Sequence, residues 1–150
     1  MCKPRHILKR LMLVGTRGCG KTTFCLQLLG ASFDDDYTIS LADPFVIPRK
    51  FGEIRFDFVF TDTCLEAYRD LEYYFALNND VFLLCFPVND KLSFEFVKEW
   101  FYHRPSQITP FCCYLVGMKS DLRANPAVKG LVSPDEARDF VDTYCLRNYM

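Results

Sequence analysis

The segment Gly15-Thr16-Arg17-Gly18-Cys19-Gly20-Lys21-Thr22 has the spacing Gly-x-x-x-x-Gly-Lys-[Ser/Thr], a combination of residue types that can cradle a polyphosphate. Backbone N–H groups of such a loop, and of the helix it opens, point at the anion while the helix dipole adds positive potential. Glycine at 15 and 20 lets the backbone approach the ligand without a side-chain clash. The Lys21 ammonium would reach the β- and γ-phosphates, and the Thr22 hydroxyl would hold Mg2+. Two other short segments carry related chemistry. In Phe60-Thr61-Asp62-Thr63-Cys64, the Asp62 carboxylate is a second candidate contact for the same ion. In Gly117-Met118-Lys119-Ser120-Asp121, the Asp121 carboxylate can accept hydrogen bonds from the N1–H and N2–H2 of a guanine, a pairing adenine does not offer. The Lys119 stem can cover the face of that base. Cys19, close to Lys21 and a helix start, sits where a thiol pKa is lowered.

These residues need strands and helices to hold them. Ile7 to Val14 is an apolar-rich strand that leads into the loop, and Thr23 to Leu29 is a helix former that Gly30 ends. Glu53 to Phe60 places apolar residues at 54, 56, 58 and 60, the period of a strand. It is expected to pair with Phe45-Val46-Ile47 through a turn over Pro48-Arg49-Lys50-Phe51-Gly52. Val81–Phe86 and Phe111–Val116 are continuous apolar runs, as in parallel strands covered on both faces. Between them, Phe94, Val97 and Phe101 recur on one helical stripe flanked by Phe96 and Trp100, a core-facing pattern. A last helix is expected from Ser133-Pro134-Asp135-Glu136, a capping box with proline at the first helical position, with Ala137, Phe140, Val141 and Tyr144 on its apolar face. The alternation reads as a doubly wound α/β sheet whose ligands bind outside the carboxyl ends of the strands.

Composition narrows the class. A chain of 150 residues with 25% charged and 50% hydrophobic residues suits one soluble domain over residues 1–150. A net charge of −1 gives no electrostatic footprint for nucleic acid or anionic membrane. Neither a secretory h-region nor a membrane-spanning run stands out, so a cytoplasmic setting is expected. The eight cysteines include no Cys-x-x-Cys pair, and Cys85, Cys112 and Cys113 lie within apolar runs. Reduced, buried thiols are therefore expected over disulfides or zinc ligands.

With these motifs in order, the chain resembles a small GTPase of the Ras superfamily, closest to the Rho/Rac branch, across nearly its whole length. The resemblance implies a P-loop NTPase fold of the Ras-like G-domain type, a mostly parallel sheet with one antiparallel edge strand. It assigns nucleotide contacts to Gly15, Thr16, Arg17, Gly18, Cys19, Gly20, Lys21, Thr22 and Thr23, to Phe33 at the edge of the base, and to Lys119, Asp121 and Leu122. Tyr37-Thr38-Ile39 is similar to the first switch, in which Thr38 would close on Mg2+ and the γ-phosphate beside Thr22 and Asp62. Asp62-Thr63 resembles the start of the second switch. Effector or regulatory proteins would engage these switch regions.

Several residues depart from the family pattern. Arg17 stands where active members usually carry glycine, crowding the attacking water and the space a partner's arginine would enter. Leu65 replaces a glycine that senses the γ-phosphate. Glu66 replaces the glutamine that orients water, and a carboxylate cannot donate a hydrogen bond to a phosphate oxygen. Met118 replaces the asparagine of the base motif. The sequence ends at Met150, where the family would enter its sixth strand and last helix, so both are expected to be missing; Cys145 is not in a terminal prenylation context.

Three readings follow. The first is a GTP/GDP switch using Mg2+ in which Lys21 is catalytic, Glu66 stands at the water-orienting position, and hydrolysis is slow. The second is a catalytically impaired relative acting as a protein-interaction module. The third is a small-molecule kinase, with Arg104 and Arg123 as candidate lid arginines.

Overall fold

The computed structural model of the protein describes residues 5–30, 44–62 and 77–150. Phe33, Tyr37, Thr38, Ile39, Thr63, Leu65 and Glu66 lie outside the described residues. Strand β1 (His6–Val14) leads to helix α1 (Lys21–Leu28), followed by β2 (Phe45–Phe51), β3 (Ile54–Asp62) and β4 (Val81–Pro87). Helix α2 (Lys91–His103), strand β5 (Cys113–Met118), helix α3 (Pro134–Tyr144) and the two-residue strand β6 (Asn148–Tyr149) follow among the described residues. The strands form one sheet in the order β2-β3-β1-β4-β5-β6. Among the described residues only β2 against β3 is antiparallel; β1 pairs in parallel with β3 and β4, and β5 in parallel with β4 and β6.

Strand alternation sorts the core into two layers. Met12, Val14, Phe82, Leu84, Phe86, Cys113 and Leu115 pack with Phe94, Val97 and Phe101 of α2 and with Ala137, Phe140 and Val141 of α3. The residues between them, Leu13, Leu83, Cys85 and Val116, pack on the other face with Cys25 of α1 and with Ile47 and Phe60. The continuous apolar runs are thus explained by cover on both faces. Ring contacts tie the first layer together: Phe94 lies 4.7 Å from Phe86 and 6.1 Å edge-to-face from Phe140, which is 5.6 Å from Phe101. Tyr144 is 38% exposed, yet its ring contacts Phe101, Tyr102 and Phe140. Ser133 caps the start of α3 as expected, its hydroxyl accepting from the Glu136 N–H at 3.0 Å.

Three sequence expectations are corrected. The hairpin turn is not at 48–52: Pro48, Arg49 and Lys50 are paired in β2, and Phe51 pairs with Ile54, leaving Gly52-Glu53 as the connection. Gly52 has φ +60, the left-handed conformation a two-residue hairpin loop demands, and Pro48 is tolerated because β2 is an edge strand. Phe111 and Cys112 are not strand residues but part of a 3-10 turn opened by Pro110, and Phe111 is exposed. The sixth strand, expected to be missing, is begun at Asn148–Tyr149.

The described cysteines, Cys19, Cys25, Cys85, Cys112, Cys113 and Cys145, are free thiols, and burial pushes the Cys113 thiol up to about 12. At pH 8 the Cys113 thiol is therefore neutral and enclosed, while Cys145 is exposed. Mass-spectrometric mapping after brief alkylation of native protein should find Cys145 labelled and Cys113 labelled only after denaturation. Phe94→Ala should destabilise the domain by about 3–5 kcal/mol, the usual cost of emptying a buried aromatic site, read as a lowered urea midpoint. A change below about 1 kcal/mol would contradict the packing described.

Candidate functional site

The carboxyl ends of the parallel strands all open on one rim of the sheet. β1 ends at Val14 and feeds the glycine loop; β4 ends at Pro87 and β5 at Met118. Asp62, the last residue of β3, is in register with Leu13 of β1, so the backbone of this candidate metal ligand lies one strand from the loop.

The loop is held from several sides. Gly15 admits no side chain, since a Cβ there would stand 2.3 Å from the Cys85 carbonyl oxygen. Gly18 (φ +75) and Gly20 (φ +109) take the left-handed conformations that turn the chain into α1. Lys21 folds back over the loop. Its Nζ donates to the Gly15 and Thr16 carbonyls, each at 2.9 Å, and lies 3.8 Å from Cys19 Sγ, with the residue only 6% exposed. Two of the ammonium's three donors are thereby satisfied by the protein itself, and α1 carries no acidic residue in its first turn to oppose an anion. Cys19, suggested by sequence as an activated thiol, is 1% exposed, so its sulfur is closed to solvent.

One partner of this loop was missed by sequence reasoning as a site residue. Ser93, 1% exposed in the first turn of α2, places its Oγ 2.6 Å from the Thr16 Oγ1. Its N–H donates to Asp90 Oδ1 at 3.0 Å in the helix cap. Nothing local in the sequence ties Ser93 to a residue 77 positions earlier.

The second candidate segment follows β5. Met118 is buried and packs over Gly20, its Cβ 3.7 Å from where a Cβ at 20 would lie. This contact brings the glycine loop and the candidate base loop together. Lys119 turns the chain with φ +57 into the 3-10 turn Ser120–Ala124, and Lys119 and Asp121 are both exposed. The turn is clamped by Arg123, which donates to the Val132 carbonyl at 2.8 Å and to the Tyr149 hydroxyl at 3.0 Å. Tyr149 in turn lies against Gly117, where a Cβ would stand 2.8 Å from its hydroxyl. Arg104 is likewise committed, donating to the Ile108 carbonyl with its guanidinium 3.8 Å from the Phe101 ring centroid. The two arginines considered for a kinase lid are therefore structural. Thr22 and Thr23 occupy the first turn of α1, and Leu122 the 3-10 turn. Among the described residues no cluster of three or more His, Cys, Asp or Glu could hold a metal, and no helix is long and apolar enough to cross a membrane.

Comparison with known proteins agrees with this geometry. Residues 10–150 match the model of the Ras family. Among curated proteins the chain is 29% identical over 129 residues to the GTP-binding protein RHO1 of Candida albicans, covering 82% of this chain and 63% of that protein. It is 30% identical over 122 residues to the GTP-binding protein rho4 of Schizosaccharomyces pombe, covering 77% of this chain and 59% of the relative. The Rho-related protein racC of Entamoeba histolytica is 28% identical over 128 residues, 84% of this chain and 65% of that one. The chain thus spans between 59% and 65% of the length of these relatives. With a family match that runs from the middle of β1 through β6 and takes in both loops, the chain belongs to the Ras family.

Proposed function

We propose that this chain is a guanine-nucleotide switch that binds GTP and GDP with Mg2+ and hydrolyses GTP slowly. The observation that carries the reading is the buried Lys21 ammonium, pinned at 2.9 Å by the Gly15 and Thr16 carbonyls at the base of a glycine loop. That arrangement presents a cation and the backbone N–H groups of residues 18–22 to a di- or triphosphate tail. Two of the relatives carry GTP-binding in their names, which supports the same ligand. Asp121 and Lys119 are the residues we assign to guanine, with Leu122 beside them, and Phe33 to the edge of the base.

The donors assigned to Mg2+ are oxygen atoms, as that ion requires: the hydroxyls of Thr22 and Thr38 and the carboxylate of Asp62. Thr22 follows Lys21 directly, and the Asp62 backbone ends the strand beside β1, so these two positions fit the role. Bound there, Mg2+ would neutralise charge on the β- and γ-phosphate oxygens. Catalysis in this reading is electrostatic. Lys21 and the loop amides stabilise the charge that develops as water attacks the γ-phosphate in line. Glu66, at the water-orienting position, can only accept hydrogen bonds and adds negative charge, which keeps hydrolysis slow. Effectors or regulators would read the segments around Thr38 and Asp62. The alternative, a catalytically impaired interaction module, rests on Leu65 and Glu66.

Titration with a fluorescent GDP separates these readings: micromolar or tighter Mg2+-dependent binding is expected, and its absence leaves the module. Lys21→Ala should weaken that binding by at least about 100-fold, equivalent to about 2.8 kcal/mol. Undiminished affinity would sink the phosphate-loop assignment. In single-turnover assays GTP hydrolysis should run no faster than the order of 10⁻⁴ s⁻¹ and respond little to a Rho-type activator. A stimulation of about 10³-fold, within the range an arginine finger supplies, would contradict the assigned role of Glu66.

A further inference from the structure

We infer that Arg17 is a specificity-determining residue that reads the terminal phosphate of a bound nucleoside triphosphate, making the site prefer the triphosphate over the diphosphate. The inference rests on the nucleotide-binding role proposed above and assigns the source of its selectivity.

The loop carries two cations with opposite dispositions. Lys21 is buried and turned inward, with two carbonyls as acceptors. Arg17 is exposed at the outer turn of the loop, and no acceptor among the described residues takes its guanidinium. Arg5, Arg10 and Arg147 are also exposed without a side-chain acceptor among the described residues, but Arg17 is the arginine that lies within the glycine loop, whereas Arg49, Arg55, Arg138, Arg104 and Arg123 are engaged by protein acceptors. A guanidinium left with all five donors on the rim of an anion-binding loop is suited to a phosphate. Its planar fork can engage two of that group's oxygens at once.

The point from which Arg17 projects is fixed. The preceding residue, Thr16, is held by its hydroxyl to buried Ser93 at 2.6 Å, and its carbonyl accepts from Lys21 at 2.9 Å and from the Cys19 N–H at 3.4 Å. The following residue, Gly18, is locked in the turn at φ +75. Consecutive Cα atoms are about 3.8 Å apart, so Arg17 starts one peptide unit from a carbonyl that anchors Lys21. A preorganised mount means that little affinity is lost to ordering the loop on binding. Lys21, sunk at the base of the loop, serves the β-phosphate common to both nucleotides as well as the γ-phosphate. In this reading the terminal phosphate, the charge that distinguishes the two nucleotides, is the partner left for the Arg17 guanidinium at the rim.

The test is competition against a fluorescent GDP, at fixed Mg2+, by unlabelled GDP and by a non-hydrolysable GTP analogue. It is run on the unsubstituted protein, Arg17→Ala and Arg17→Lys. The ratio of triphosphate to diphosphate affinity should fall about tenfold or more in Arg17→Ala, the scale of a lost charge-assisted contact. Arg17→Lys should recover part of it, since lysine keeps the charge without the fork. Because the readout is a ratio within each protein, a partly active preparation does not distort it. A ratio unchanged within about threefold, or one that rises in Arg17→Ala because a crowding side chain has gone, overturns the inference while leaving the switch intact. Absence of binding of either nucleotide to the unsubstituted protein overturns the switch and this inference together.

Discussion

The primary ammonium of a lysine that is only 6% exposed is the constraint around which this rim of the molecule is built. Removing such a charge from water is costly unless acceptors replace the lost hydration. Here the acceptors are two consecutive main-chain carbonyls, Gly15 and Thr16, both aimed at Lys21 Nζ. Aiming them inward requires the chain to run directly against the Cys85 carbonyl, which no residue larger than glycine at 15 permits. It then requires left-handed turns at Gly18 and Gly20 before α1 can begin. The glycine spacing and the lysine are therefore one device, in which the backbone route supplies the solvation of the charge.

The helices on the far face serve the same device. The apolar stripe of α2, Phe94, Val97 and Phe101, seats that helix on the sheet and on α3 through a chain of ring contacts. Seating α2 sets the height of its first turn, where Ser93 meets Thr16 and Asp90 caps the helix. This part-buried hydroxyl pair at 2.6 Å is sensitive to displacement, because Ser93, 1% exposed, would be left with its hydroxyl unsatisfied. Core packing in one layer is in this way transmitted to the loop that belongs to the other.

The second loop is positioned by a different logic. Met118, an apolar residue in place of an amide, secures its contact with Gly20 by packing rather than hydrogen bonding. The Met118 carbonyl accepts from the Val88 N–H at 2.9 Å, and the Val88 carbonyl accepts from Val132 at 2.8 Å, so backbone bonds brace the strand tip. β6, although two residues long, brings Tyr149 under Gly117 and gives Arg123 an acceptor 26 positions away. The Lys119–Ala124 turn is thus clamped from below by the last described strand.

The sequence by itself determined the elements that rest on short-range patterns. The loop spacing from Gly15 to Thr22, the two-sided burial of β4, the apolar stripe of α2 and the capping box at Ser133 are all set by neighbours within a few positions. Local steric and hydrogen-bonding rules suffice for these. Tertiary structure alone decided the rest. The hairpin turn moved to Gly52-Glu53 because pairing along β3 extended β2 through Pro48. The Thr16–Ser93 and Met118–Gly20 contacts, and the Arg123–Tyr149 clamp, join segments whose separation along the chain carries no periodic signal. They exist only once the sheet order has placed β1, β4, β5 and β6 side by side, since hydrogen bonds and packing act over a few ångströms in space whatever the distance in sequence.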